Sequence, residues 1–250
     1  MKTCTILGTE IAVTTMEETV RYIEEHMEEL RGKYICVSNV HTTVTAYEDE
    51  SYRKVQNGAA FALPDGKPLS LYSKKHGFPE AERVTGPDLM GELFARENGL
   101  THYFYGGSEA TIRTLREKLP KEYPHLKIAG MVSPPYRPLT KEEDAAQVEA
   151  MNASGADIIW IGLGAPKQER YMFEHQGLTQ GVMVGVGAGC AYYAGTIRRA
   201  PMWMQKLSLE WLYRLMQDPK RLFKRYFVTN FKFLRLTLGR GKKSRGEKKS

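Results

Sequence analysis

Apolar residues recur along this chain at two spacings, and the switches between them outline its elements. Residues 2–14 read as a pair of short strands; Thr15 and Glu18 then have the spacing of a capping box, and Val20, Ile23 and Met27 follow at helical steps to about Leu30. The period then shortens: Tyr34, Ile35, Cys36, Val37 and Ser38 form a brief run of the kind a buried strand shows. A helical stretch follows from Asn39 to about Asn57, and further strands are predicted at residues 59–63, 102–105, 128–130, 157–162 and 182–186. Short apolar strands alternating with helices of roughly ten to fifteen residues predict βαβ units, and hence an α/β, Rossmann-like fold whose mostly parallel sheet is flanked by helices.

Beyond residue 195 the pattern is helical only. Residues 201–216 predict one long helix, with Trp203, Leu207, Trp211, Leu212 and Leu215 at three- and four-residue steps and Glu210 and Arg214 one turn apart as an expected pair. Asp218-Pro219 has the form of an N-cap and first position of a further helix. On that helix Phe223, Phe227, Phe231, Leu234 and Leu238 make an apolar stripe, and Arg221, Arg225, Lys232 and Arg235 a basic one. Residues 239–250 hold no apolar side chain to bury and are expected to be disordered. The expected organisation is therefore an α/β core over residues 1–195, a basic amphipathic helical appendage over 196–238 and a basic tail over 239–250.

Charge sharpens that division. The formal net charge is +7, yet residues 220–250 carry twelve Lys and Arg against the single acid Glu247, which leaves 24 basic against 28 acidic groups in residues 1–219. A mildly acidic body with a strongly basic end attracts polyanions: nucleic acid, an anionic membrane face or a phosphorylated substrate. With 42% apolar and 26% charged residues the composition is that of an ordinary globular chain, which excludes a collagen-like, coiled-coil or wholly disordered protein. Cys4, Cys36 and Cys190 lie far apart without a CxxC pair, which argues against a disulfide framework or a cysteine-built zinc site and for a reducing compartment. No run approaches the roughly 18 apolar residues of a membrane span, and no signal peptide is expected at the N-terminus.

Nearly every predicted strand ends in Gly, Asn, Asp or Ser, and in an open α/β sheet that carboxyl edge is where ligands bind. No GxGxxG fingerprint with a following acid and no GxxxxGK[ST] loop occurs, which argues against a dinucleotide enzyme and a P-loop NTPase. The closest glycine cradles are Gly106-Gly107-Ser108 and Gly185-Val186-Gly187-Ala188-Gly189, whose backbone N–H groups could hold a diphosphate. There is no Asp-x-Asp pair for Mg²⁺ or Mn²⁺, Glu48-Asp49-Glu50 reads as an exposed helix face, and the six histidines lack HxxxH or HExxH spacing, so no metal site is expected. The charge of a departing diphosphate then falls to Arg, Lys and backbone N–H groups. Asp65, in the turn Leu63-Pro64-Asp65-Gly66, has two readings: a base that takes a proton from an attacking hydroxyl, or an Asx-turn closed on its own backbone. Arg83 and the run Lys167-Gln168-Glu169-Arg170 likewise read either as phosphate or sugar ligands or as helix-start ion pairs.

Taken in order, six stretches resemble one family. They are Leu63-Pro64-Asp65-Gly66, Arg83-Val84-Thr85-Gly86-Pro87-Asp88-Leu89, Phe104-Tyr105-Gly106-Gly107-Ser108, Ser133-Pro134-Pro135-Tyr136, Gly162-Leu163-Gly164-Ala165-Pro166-Lys167-Gln168-Glu169, and Arg199-Ala200-Pro201 with Leu209-Glu210-Trp211-Leu212-Tyr213-Arg214-Leu215. Over about residues 3–230 the chain resembles the WecG/TagA/CpsF glycosyltransferases, glycosyltransferase family 26, and most closely their N-acetylmannosaminyltransferase branch. The resemblance implies inverting, metal-independent transfer of a sugar from a UDP-sugar to an undecaprenyl-diphosphate-linked acceptor. It implies a cytoplasmic enzyme without a cofactor, peripherally associated with the anionic inner face of the bacterial cell membrane. In the best known branch N-acetylmannosamine is moved onto lipid-linked N-acetylglucosamine in teichoic acid synthesis; other members move N-acetylmannosaminuronic acid or glucose. By motif position the resemblance implies Asp65 as catalytic base and Asn39, Arg83 and Gln168 lining the pocket. Gly107, Ser108, Tyr136, Lys167 and Gly187 follow as further substrate contacts, and Arg214, Arg221 and Arg225 as arginines that close over the donor diphosphate. Nucleic acid is not an expected partner, and self-association is left open.

The chain departs from the family at one point: many relatives read Phe-Asp where this sequence has Cys190-Ala191, so the contact that Asp makes is absent here. A rival reading makes the protein a non-catalytic nucleotide-binding or scaffold module. In it Phe223, Tyr226, Phe227, Phe231 and Phe233, interleaved with Lys and Arg, serve as a stacking surface for RNA or a membrane anchor.

Overall fold

A computed structural model of the chain describes residues 1–243 except Ser208; the side chains of Lys206, Arg221, Lys224, Arg225 and residues 239–243 also lie outside the description. Strands β1 (Thr3–Ile6) and β2 (Thr9–Ala12) form a hairpin whose turn residues Leu7 and Gly8 have φ of 51° and 90°, the type I′ sense that matches strand twist. The capping box is present ahead of α1 (Met16–Glu25), but the helix breaks at His26 and restarts as the single turn α2 (Met27–Leu30). After β3 (Tyr34–Ser38) come α3 (Val40–Glu48) and α4 (Glu50–Asn57), two helices where one was expected. Asp49 causes the break: it leaves the helix, caps α4 by accepting from the Tyr52 N–H at 3.1 Å, and pairs with Arg170 at 2.7 Å. The acidic run is exposed at Glu48 and Glu50, as expected, but it is a helix junction tied to its neighbours through Asp49 and not one continuous helix face.

The alternation continues through β4 (Phe61–Pro64), α5 (Lys67–Lys75), α6 (Gly86–Ala95), β5 (Thr101–Gly106), α7 (Glu109–Glu122) and β6 (Lys127–Val132). It closes with α8 (Lys141–Ala153), β7 (Ile158–Gly162), α9 (Lys167–Glu174), β8 (Val182–Gly185) and α10 (Gly189–Ala194). The strand order is β1-β2-β4-β3-β8-β7-β5-β6, and the pairings from β2 onward are parallel. Helices cover both faces, so successive residues of a strand enter different cores. Ile158 and Trp160 of β7 pack with Phe94, Leu115 and Val184 on one side, while Ile159 and Ile161 pack with Tyr34 and Met183 on the other. This order also lines up the ends of β4, β3, β8, β7 and β5 along one carboxyl edge, and with them Asp65, Asn39, Gly187, Gly164 and Gly107.

The helix expected over 201–216 is two, α11 (Met202–Lys206) and α12 (Glu210–Gln217), because the Leu207 and Leu209 N–H groups turn back to the Trp203 and Met204 carbonyls. Pro219 opens α13 (Pro219–Lys243) as expected, but that helix includes residues 239–243, where a disordered tail was expected; residues 244–250 lie outside the described residues. Phe233, buried in the second core, and the Lys232–Glu48 ion pair anchor α13 to the body beside α3. Phe223, Phe227, Phe231, Leu234 and Leu238 remain exposed along it, as do Trp203, Leu207 and Met216 ahead of it. Among the described residues no helix is long and apolar enough to cross a membrane.

Candidate active site

β4 and β3 end side by side, with Pro64 in register with Ser38, and the Asp65 N–H donates to the Ser38 carbonyl at 2.7 Å. Asp65 therefore stands one residue beyond the sheet, half-buried, in a turn that Gly66 completes at φ 109°, a conformation suited to glycine. At the adjacent strand end, Asn39 caps α3: its side-chain oxygen accepts from the N–H groups of His41 at 3.0 Å and Thr42 at 3.2 Å. With its oxygen committed to the cap, the Asn39 side chain turns its amide N–H groups to its surroundings, and it favours the ionised form of the neighbouring Asp65. Burial pushes the Asp65 carboxyl up to about 7; Arg83 and the Asn39 amide oppose the rise, and the carboxylates of Glu210 and Asp88 add to it.

Arg83 is brought to this corner by the Val84 N–H, which donates to the Pro64 carbonyl at 3.0 Å. Its guanidinium donates to Glu210 at 3.2 Å and lies 3.5 Å from Asp88. Arg199, from the segment between α10 and α11, pairs with Asp88 and stands 3.7 Å from Glu210. Asp88 is fixed in turn by Thr85, whose hydroxyl donates to its carboxylate at 2.7 Å. The expected Glu210–Arg214 pair is replaced: Glu210 faces Arg83 and Arg199, and the Arg214 guanidinium lies over the Tyr192 ring, 5.4 Å from its centroid. Asp88 and Arg199 were not singled out by sequence reasoning, and Glu210 was read only as the partner of Arg214, although each falls in a family-like string. Their roles were hidden because the partners are 111 and 127 residues apart in the chain.

A second group sits beneath the middle of the edge. Gln168 is buried; its Oε1 accepts from the Gly164 N–H at 3.2 Å and the Gly187 N–H at 3.0 Å, which ties the loops after β7 and β8 together. Its Nε2 donates to Glu169 at 2.8 Å, and Glu169 is wholly buried, so that desolvation raises its pKa. The Tyr52 hydroxyl, which accepts from Gln56 at 2.9 Å, opposes that rise, and Gln56 accepts from Ser38. Buried polar groups thus extend from the strand end beside Asn39 toward the Gly187 loop, and one of them, Glu169 Oε2, has no hydrogen-bond partner among the described residues. Gly164 and Gly187, at φ 79° and 56°, have open space where a side chain would begin.

The remaining candidates lie around these two groups. Ser108 caps α7 by accepting from the Thr111 N–H at 3.2 Å, and the Gly107 carbonyl accepts from Ser133 at 2.8 Å, which links the β5 end to the segment carrying Tyr136. Tyr136 is 90% exposed, and Lys167 is exposed at the start of α9. The side chains of Arg221 and Arg225 lie outside the described residues. At the position of the family's Phe-Asp, Cys190 is buried and Ala191 brings no carboxylate. Among the described residues no three His, Cys, Asp or Glu side chains gather in a way that could hold a metal ion.

A carboxylate with a raised pKa beside paired guanidinium groups, on the ligand edge of a parallel sheet, defines a site for transferring a group from an anionic substrate. The chain matches the Glycosyl transferase WecG/TagA/CpsF family over residues 4–247 and belongs to it. It is 28% identical over 225 residues, covering 88% of this chain and 86% of the relative, to the N-acetylglucosaminyldiphosphoundecaprenol N-acetyl-beta-D-mannosaminyltransferase of Bacillus subtilis (strain 168). It is 29% identical over 199 residues, covering 78% and 76%, to the protein of that name from Bacillus spizizenii. The protein of that name from Staphylococcus aureus (strain MW2) is 28% identical over 222 residues, covering 87% and 85%. The chain is a glycosyltransferase.

Proposed function

We propose that this glycosyltransferase moves N-acetylmannosamine to N-acetylglucosamine carried on undecaprenyl diphosphate, as the names of its relatives say of them, and that the donor is the UDP-sugar. The observation that carries the reading is the Asp65 corner: a half-buried carboxylate one residue beyond the end of β4, beside the end of β3 and the segment carrying Arg83, where burial raises its pKa toward the range of a general base. In this scheme an acceptor hydroxyl gives its proton to Asp65 as its oxygen attacks the anomeric carbon. The bond from that carbon to the UDP oxygen breaks with its electron pair, so a single displacement inverts the centre. Arginines, not a metal ion, meet the charge left on the diphosphate, with Arg83 nearest the base and Arg214, Arg221 and Arg225 supplied by the appendage.

The same reading seats the appendage on the inner face of the membrane. The exposed aromatic stripe of α13 enters the headgroup region while its lysines and arginines meet anionic lipid, which brings the lipid-linked acceptor to the edge of the sheet. The test is product analysis with a panel of UDP-sugars and a short-chain lipid-diphosphate acceptor. A disaccharide formed with UDP-N-acetylmannosamine in preference to the others supports the assignment; preference for another sugar overturns the donor.

A further inference from the structure

Glu210 is the one carboxylate of the Asp65 corner that does not belong to the α/β body. It begins α12, a helix of eight residues with none buried. Asp88, by contrast, lies in the first turn of α6 among the buried Leu89 and Met90 and is fixed by Thr85. The two arginines and these two carboxylates balance, so with Asp65 ionised the corner carries one net negative charge. A diphosphate with two negative charges has no electrostatic reason to enter it. With Glu210 withdrawn the net charge of the corner rises by one, to zero with Asp65 ionised and to +1 with it protonated, and the Arg83 and Arg199 guanidinium groups are freed to receive an anion. Partly exposed ion pairs of this kind are weak enough to exchange, and among the described residues the other contacts of α12 are also at the surface: Arg214 over Tyr192, the Gln217 amide on the Arg198 carbonyl at 3.0 Å, and Trp211 edge-on to Tyr226 of α13.

Resting on the function proposed above, we infer that Glu210 is a stand-in anion: its carboxylate occupies Arg83 and Arg199 in the unliganded enzyme, and the donor diphosphate binds by displacing it. Arg199 is thereby a second ligand of the diphosphate, and Glu210 a positioning residue that couples donor entry to the release of α12. The groups that face Asp65 are Asn39 from the end of β3, Arg83 from the segment before α6, Asp88 from α6 and Glu210 from α12. Glu210 is the only one of these that donor binding would remove.

The experiment is titration of the full-length protein with UDP, followed by calorimetry, for wild type and Glu210→Gln. The neutral isostere should bind UDP about tenfold more tightly, since it no longer competes for the arginines. It should also move the acid limb of kcat/KM to lower pH, because a negative neighbour of Asp65 is gone. Arg199→Gln should bind UDP more weakly, and in that background Glu210→Gln should lose most of its gain. The surface variant Glu29→Gln, exposed on α2, should change neither quantity. Unchanged or weaker UDP binding by a folded Glu210→Gln, or an equal gain with and without Arg199, overturns the inference while leaving the transfer reaction standing. Failure of UDP to bind wild type and variant alike overturns both.

Discussion

At Asp65 two effects of opposite sign meet. Desolvation and the nearby acids favour the protonated form, while Arg83 and the Asn39 N–H favour the carboxylate, and the outcome is a pKa of about 7. Because the proposed base works ionised, kcat/KM should rise with pH through about 7 and then level off. Asn39→Ala removes a neighbouring amide that favours the ionised form, so its acid limb should lie at higher pH; a limb that stays in place would separate Asn39 from the base. The folded pKa is raised, so below the ordinary carboxyl value of about 4 the group costs nothing, and stability is lost as pH rises through the folded value. Asp65→Asn should therefore melt higher than wild type at pH 8 and level with it near pH 4, which a thermal scan at the two pH values reads. The sequence alone made Asp65 visible, since a Pro-Asp-Gly turn after a buried strand is a local signal. It misassigned Glu210, because the one-turn rule that points to Arg214 knows nothing of the Arg83 guanidinium arriving from 127 residues away.

Among the elements, the loops after β7 and β8 depend on one side chain. Gln168→Ala leaves the Gly164 and Gly187 N–H groups and one oxygen of buried Glu169 without their partner, at a cost of about 1–3 kcal/mol for each unsatisfied group. The expected result is a thermal midpoint several degrees lower together with weaker UDP binding, read by the same scan and titration. A variant as stable as wild type would show that the loops hold themselves. The strands and most helices were legible as periods, since the central strands β3, β4, β7 and β8 are buried on both faces and most flanking helices on one. The breaks were not. At Asp49 the apolar period runs on, and only the competition between continuing a helix and capping a new one, settled by Tyr52 and Arg170, stops it. The split of residues 201–216 is of the same kind, as the Leu207 and Leu209 N–H groups turn back to carbonyls of α11.

At the scale of the molecule, the strand order does what no local pattern reveals: it sets residues 65, 39, 187, 164 and 107 along one edge. The charge asymmetry was plain in the composition, and the exposed stripe of Phe223, Phe227 and Phe231 gives it a direction. Truncation before residue 219 should abolish flotation with anionic vesicles and turnover of a membrane-embedded acceptor. Flotation of the full chain should weaken as salt rises, since charge attraction is screened over about 8–10 Å at 0.1–0.15 M. Undiminished flotation after truncation would remove α13 from membrane attachment.

The central claim is that Asp65 takes the acceptor's proton. Its most direct test is the turnover of purified Asp65→Asn with UDP-N-acetylmannosamine and a lipid-diphosphate N-acetylglucosamine acceptor, beside its UDP affinity and melting curve. The account predicts that kcat falls by about 10²–10⁴-fold while UDP binding and cooperative unfolding are retained. Turnover within a few-fold of wild type, from a folded variant that binds UDP, would contradict it.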